Sequence, residues 1–186
     1  VWAFVAGGRI DSPPTIYDGR VLFGSADGRV YCLRDRDGEL VWRFLAAPRD
    51  CRIGYFDQLE SAWPVHGSVL VRDGVAYVTA GRSTYLDGGI RVYGLDPATG
   101  AVKFAQRSNV PPAMALENSQ GIAREGFSQN AVDYKTKKSP DHSDAFSMTG
   151  NLSDILVAAD DAAYLRHMKF DKQLKPVNEW THHLFS

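Results

Sequence analysis

The stretch VYCLRDRDGELVWRF at residues 30–44 is written a second time as VYGLDPATGAVKF at residues 92–104. Tyr31, Leu33, Gly38 and Trp42 fall on Tyr93, Leu95, Gly100 and Phe104, all with one offset of 62 (93 − 31). Upstream, PTIYDGRVLFGS (14–25) lies over VLVRDGVAYVTAG (69–81) at an offset of 55, with Asp18-Gly19 on Asp73-Gly74. The seven extra residues of the second copy (62 − 55) fall in RSTYLDGG at 82–89. Two further traces flank the pair: VWAF (1–4) repeats VWRF (41–44), and SDILVAADDAAYLRHMKFD (153–171) follows the second copy at an offset of 87. A chain that rewrites one short unit has to bury its apolar faces by stacking the copies, because a single copy is too small to cover its own.

What the unit contains follows from its periodicity. Apolar residues alternate over four to six positions and are interrupted by Asp-Gly or by a turn with glycine at a fixed place, the pattern of strands in hairpins. The first copy reads as four antiparallel strands, at about 14–17, 20–25, 29–34 and 40–45. Repeats of about 40 residues carrying four strands each predict the blades of a β-propeller. The predicted class is all-β, a partial propeller of two full and two partial units. The end of a preceding blade occupies 1–11, a blade and linker 12–62, a second blade 63–106, and a partial blade 151–186. Between them, 107–150 carries turn formers and scattered charge and is predicted as a long irregular insertion with one short helix near 113–120. The chain opens without Met, which implies a fragment of a larger protein. Such a fragment does not close its ring and is expected to associate through open blade edges.

The spacing of Cys32, Arg34, Asp37, Gly38 and Trp42, and of Gly94, Asp96, Thr99, Gly100 and Phe104, resembles the tryptophan-docking motif of the pyrroloquinoline-quinone (PQQ)-like propeller repeat. That repeat is found in quinoprotein alcohol dehydrogenases and in BamB-type outer-membrane assembly lipoproteins. The motif runs Ala, x, Asp, x, x, Thr, Gly, three residues, Trp. The first copy substitutes Cys, Arg and Asp, and the second Gly for Ala and Phe for Trp. The resemblance implies that each terminal aromatic is buried against the turn of the next blade, where a ring contributes about 2 to 3 kcal/mol. It also implies a bacterial, periplasmic or otherwise extracytoplasmic setting. It admits two functions: a non-catalytic binding or scaffold module whose partners are the remaining blades and another protein, or part of a dehydrogenase holding PQQ and calcium.

Charge and composition narrow the partners. Lys plus Arg (21) against Asp plus Glu (22) leaves a net charge of −1, giving no broad electrostatic pull toward nucleic acid. No apolar run approaches the roughly 18 residues of a membrane span. Two cysteines, Cys32 and Cys51, form neither a disulfide framework nor a zinc spacing. Cys32 alternates with apolar residues and reads as buried; Cys51 stands between Arg49 and Arg52 without an adjacent base.

Chemistry-bearing groups are sparse. Phosphate-loop and serine-elbow motifs are missing from the sequence. Asp141, His142 and Asp144 in PDHSDAF are the best metal candidates, needing one more ligand from elsewhere; the alternative is that they cap turn amides. Glu117 and Asn118 read as a solvated loop pair, and His182-His183 as neighbours pointing opposite ways on a strand. His66, after WPV, either faces the channel or fixes the loop after Trp63. Asn151-Leu152-Ser153 fits a glycosylation sequon by pattern alone. The balance favours no catalytic residue, and the repeat positions Tyr31, Leu33, Gly38, Trp42, Tyr93, Leu95, Asp96, Thr99, Gly100 and Phe104 are read as structural.

Overall fold

The computed structural model describes residues 1–55, 57–84, 86–108, 155–165 and 168–177. Alternation builds strands and Asp-Gly closes them. In the first sheet β1 (Thr15–Tyr17), β2 (Arg20–Gly24), β3 (Arg29–Arg34) and β4 (Leu40–Leu45) pair antiparallel in chain order. A hairpin that the sequence reading left as linker follows, β5 (Arg52–Tyr55) with β6 (Gln58–Ser61). The second sheet is β7 (Leu70–Arg72), β8 (Val75–Ala80), β9 (Ile90–Leu95) and β10 (Val102–Ser108), again in chain order. The third is β11 (Leu156–Ala159), β12 (Ala162–Leu165), β13 (Met168–Phe170) and β14 (Pro176–Val177). The stretch read as a partial blade therefore supplies four strands, the last of them two residues long. The described residues are all-β, a partial propeller of four-stranded blades. No helix among them is long and apolar enough to cross a membrane.

Period 2 decides what each sheet buries. In sheet 1, Leu22, Val30 and Cys32 point toward sheet 2 and share a core with Ala76, Val78, Ala80 and Leu95. Val21, Phe23, Tyr31 and Leu33 point the other way, onto Trp2, Phe4 and Ala6. Sheet 2 does the same one step on: Val75, Tyr77, Ile90 and Val92 meet Leu156, Leu165, Phe170 and Leu174 of sheet 3. Both faces of a middle blade are dry, which is why β8 is buried at every position. The first strands of neighbouring sheets touch, β1 against β7 and β7 against β11, and the Thr15 hydroxyl donates to the Val69 carbonyl at 2.5 Å. First strands thus lie nearest a common axis and fourth strands outermost.

The outer hairpins carry the staples. The Trp42 indole N–H donates to the Pro97 carbonyl at 3.0 Å, across to the β9–β10 turn of the next sheet. A Cβ at Gly100, whose φ is +73°, would stand 2.8 Å from two atoms of that ring. Trp2 repeats the contact on the other side of sheet 1: its N–H donates to the Asp35 carbonyl at 2.7 Å and its ring covers Gly38. Only glycine fits where a ring presses on backbone held at positive φ. In the third sheet the turn is one residue shorter, Leu174 occupies the glycine's place at φ +63°, and its buried side chain shares a cluster with Phe104. A smaller ring leaves room for a side chain that Trp42 would displace.

The departures from the motif have local explanations. The Thr99 hydroxyl accepts the Ala101 amide at 3.3 Å, and Asp37, at the equivalent place in the first copy, accepts the Glu39 amide at 3.2 Å. Either oxygen does the job. Hydrogen bonding from Arg34 outweighs desolvation and draws the Asp37 carboxyl from 3.8 down to about 2. Because the folded value lies below the unfolded one, this contribution is complete above pH 3.8 and is lost as pH falls through about 2. An NMR titration of Asp37 should show its midpoint near the lower value; a midpoint at the ordinary carboxylate pKa would remove the Arg34 contact.

Candidate binding face

Up-and-down topology sorts the loops. The β1–β2 and β3–β4 turns lie at one end of each sheet, and the β2–β3 turn and the connections between sheets at the other. The first end is taken up by the docked tryptophans and by ion pairs such as Lys172 with Asp161 at 2.8 Å. At the other end the connections meet: the Ala26 amide donates to the Arg9 carbonyl and the Ser61 amide to the Ala26 carbonyl, both at 2.7 Å, and the Gly81 amide to the Pro64 carbonyl at 3.0 Å.

Two buried carboxylates there have different fates. Asp27 is fully engaged: its Oδ2 accepts the Tyr31 hydroxyl at 2.5 Å and its Oδ1 the Arg29 amide at 3.0 Å, while the Gly7 amide donates to the same hydroxyl at 3.3 Å. Burial first, and then this bond to Asp27, push the Tyr31 hydroxyl above its ordinary pKa. Glu60, with a side chain only 2% exposed, accepts no hydrogen bond at either oxygen. A cation stands over it, since Arg9 Nη2 lies 3.8 Å from Glu60 Oε2. Three of the five Arg9 N–H donors are used on other groups: Nε on Asp11 Oδ1, Nη2 on Asp11 Oδ2 at 3.4 Å, and Nη1 on Gln58 Oε1 at 3.2 Å. Asp11 in turn is 2.5 Å from His66 Nδ1. Burial works against the Asp11 carboxylate, but the bonds from Arg9 and His66 prevail and hold its pKa below the usual range. The Ser12 hydroxyl beside it is buried without a partner.

His66 therefore binds the incoming connection of sheet 1. Arg9, Asp11, Gln58 and Glu60 were not singled out from the sequence: Arg9 and Asp11 are neighbours, but the cluster closes only through Gln58, 49 residues from Arg9, and His66, 55 from Asp11. Trp63 is buried, donates to the Asp87 carbonyl at 2.9 Å and carries Arg49 5.9 Å above its ring.

The thiols sit apart from this cluster. Desolvation raises Cys32 to about 11, and it is fully buried. Alkylation of the folded protein at pH 8 should spare Cys32 and reach it only after denaturation; a Cys32 adduct on the native protein by mass spectrometry would contradict its burial. Cys51 is partly buried against the first core.

The repeat residues fall on equivalent elements. Tyr31 and Leu33 on β3 face the preceding neighbour, as Tyr93 and Leu95 do on β9, with Tyr93 edge-on to Phe44 at 5.1 Å. Asp96 caps the Ala98 and Thr99 amides at 2.9 and 3.1 Å. Asp141, His142 and Asp144 lie outside the described residues, as do Glu117, Asn118, Asn151 and His182-His183. Among the described residues no group of three or more His, Cys, Asp or Glu is placed to hold a metal ion. Asp11 and Glu60 already flank the guanidinium of Arg9, so the acids at this end do not present an open calcium set.

Comparison with known proteins gives the architecture its relatives. A family model described as outer membrane protein assembly factor BamB matches residues 1–102. No curated protein sequence matches the chain. Among solved structures, BamB from Moraxella catarrhalis is similar at 14% identity over 95% of this chain and 38% of that one, with a TM-score of 0.48. A europium-containing methanol dehydrogenase is similar at 18% identity over 56% of this chain and 16% of its own, with a TM-score of 0.43. A quinohemoprotein alcohol dehydrogenase from Comamonas testosteroni is similar at 20% identity over 53% and 13%, with a TM-score of 0.42. The chain spans 38% or less of the length of each of these three.

Proposed function

Because this chain belongs to the family of the outer membrane protein assembly factor BamB, built of PQQ-like propeller repeats, we propose that its blades form a non-catalytic binding or scaffold module within a larger protein. The face used is the end where the connections gather. One observation supports this reading above the others: the polar groups at this end tie connections together. Asp11 holds His66, Arg9 holds Gln58, and the Tyr31 hydroxyl, held by Asp27, accepts the Gly7 amide. Groups spent in this way order a surface for recognition, as second contacts order the first in any preorganised site. The likeness to BamB adds a protein partner to the proposal, and the fold itself favours neither role.

The test is direct. Calorimetric titration of the full-length protein with the quinone and calcium should show no binding, and dye reduction with alcohols or sugars should stay at the level of the blank. Saturable quinone binding with substrate-dependent dye reduction would overturn the reading in favour of the dehydrogenase.

A further inference from the structure

Asp11, Gln58 and Glu60 come from two separate segments and surround one cationic group, the Arg9 guanidinium. The fit is incomplete in a specific way. Asp11 and Gln58 are satisfied, while the deepest acid, Glu60, faces the guanidinium at 3.8 Å and receives no hydrogen bond from the described residues. A buried carboxylate in that condition keeps its full capacity for charge-assisted bonds. The Arg9 backbone is fixed, its carbonyl accepting the Ala26 amide at 2.7 Å, while its side chain is 39% exposed and stands 3.8 Å from Glu60. Rotation of that one side chain would vacate the place beside Glu60 and leave the backbone bond to Ala26 intact.

We propose that this cluster is a recognition site for a cationic side chain, a guanidinium or ammonium group presented by a partner, and that the chain occupies it with its own Arg9 until the partner's group displaces it. The inference rests on the reading of the connection end as a binding face and adds the chemistry of what is bound. Asp11 and Gln58 supply the outer acceptors and Glu60 the inner one. His66, on the far side of Asp11, is a positioning residue that keeps that carboxylate turned toward the site. A cationic ligand that donates to both Glu60 oxygens gains the bonds that Arg9 leaves unmade.

Titration with N-acetyl-arginine amide and with ethylguanidinium, at fixed ionic strength and against tetramethylammonium, tests the proposal. Tetramethylammonium carries the same charge but has no N–H to donate. Arg9→Met keeps the aliphatic stem and vacates the site; it should bind the guanidinium probes at least about tenfold more tightly than the parent protein. The probes should also raise its melting temperature, and Glu60→Gln added to Arg9→Met should abolish both effects. The proposal is overturned if Arg9→Met folds, by an unchanged near-ultraviolet spectrum, and fails to bind. It is equally overturned if tetramethylammonium does as well as ethylguanidinium, or if the double variant binds undiminished. Should Arg9→Met not fold, Arg9→Lys is read instead: its shorter reach should loosen the internal occupant and again favour the probes, and affinity equal to the parent would overturn the site. Quinone binding, tested separately, leaves these outcomes unaffected, so failure of the scaffold reading and failure of this site are told apart.

Discussion

Replacing Trp42 with alanine is expected to cost about 3 to 4 kcal/mol of stability, the largest loss of any single side chain on the outer strands. The indole joins two blades in two ways, packing against the core shared by sheets 1 and 2 and donating to the Pro97 carbonyl at 3.0 Å. Its removal leaves a cavity at the seam and an acceptor without its donor. For a chain of 186 residues that loss is a fall in melting temperature of roughly 6 to 15 °C. Trp42→Phe separates the terms: it refills most of the seam and forfeits the hydrogen bond, so it should recover more than half of the loss. Differential scanning calorimetry on the three proteins decides this. Equal melting of Trp42→Ala and the parent would mean that the sheets are not joined at this ring.

The second large effect is at Gly100, and Gly74 provides its control. The two glycines have nearly the same φ, +73° and +71°, so an alanine at either position meets the same backbone strain of about 1 to 2 kcal/mol. Their surroundings differ. A Cβ at Gly74 meets nothing within 4 Å, whereas one at Gly100 stands 2.8 Å from Trp42 Cδ2 and Cε3. Gly74→Ala should therefore show the strain alone, and Gly100→Ala the strain plus displacement of the indole, about 3 to 5 kcal/mol together. Urea denaturation gives both differences. If the two variants lose the same amount, the ring is not seated on Gly100.

How far the fold could be read before the coordinates depends on the distance over which each feature is determined. The hairpins were legible because a strand and its turn are fixed within a few residues. Asp18 and Asp73 precede glycine and all four residues take positive φ, and the strands of the first sheet fall within a residue of those read from alternation. The equivalence of positions was legible too: an offset of 62 carries Tyr31 onto Tyr93, and the two stand on matching strands, β3 and β9. The fourth strand of the third sheet was harder. Its turn has lost the glycine, and Leu174 takes the positive φ instead, its side chain packed in one cluster with Phe104. The β5–β6 hairpin escaped notice for a related reason: it turns at Asp57, φ +60°, without a glycine to mark it. The polar cluster was beyond reach. Arg9 and Gln58 meet only after a whole blade has folded between them, and nothing in either segment announces the other.

The Asp37 position shows the opposite case, in which a departure from the motif preserves its physics. A carboxylate stands where the second copy has the Thr99 hydroxyl, and each accepts the amide two residues on. Its neighbour Arg34, standing where the second copy has Asp96, then becomes the partner of that carboxylate. Substitution moved the charges and kept the turn.

Trp42 clasps sheet 1 to sheet 2 by resting on the Gly100 turn, and Trp2 clasps the first residues to sheet 1 by resting on the Gly38 turn. Nuclear Overhauser spectroscopy on the labelled protein tests that arrangement most directly. Cross-peaks should connect the six-membered ring protons of Trp42 with the α-protons of Gly100, and those of Trp2 with the α-protons of Gly38. Trp42 cross-peaks confined to its own sheet, with none to Gly100 or Pro97, would contradict the arrangement.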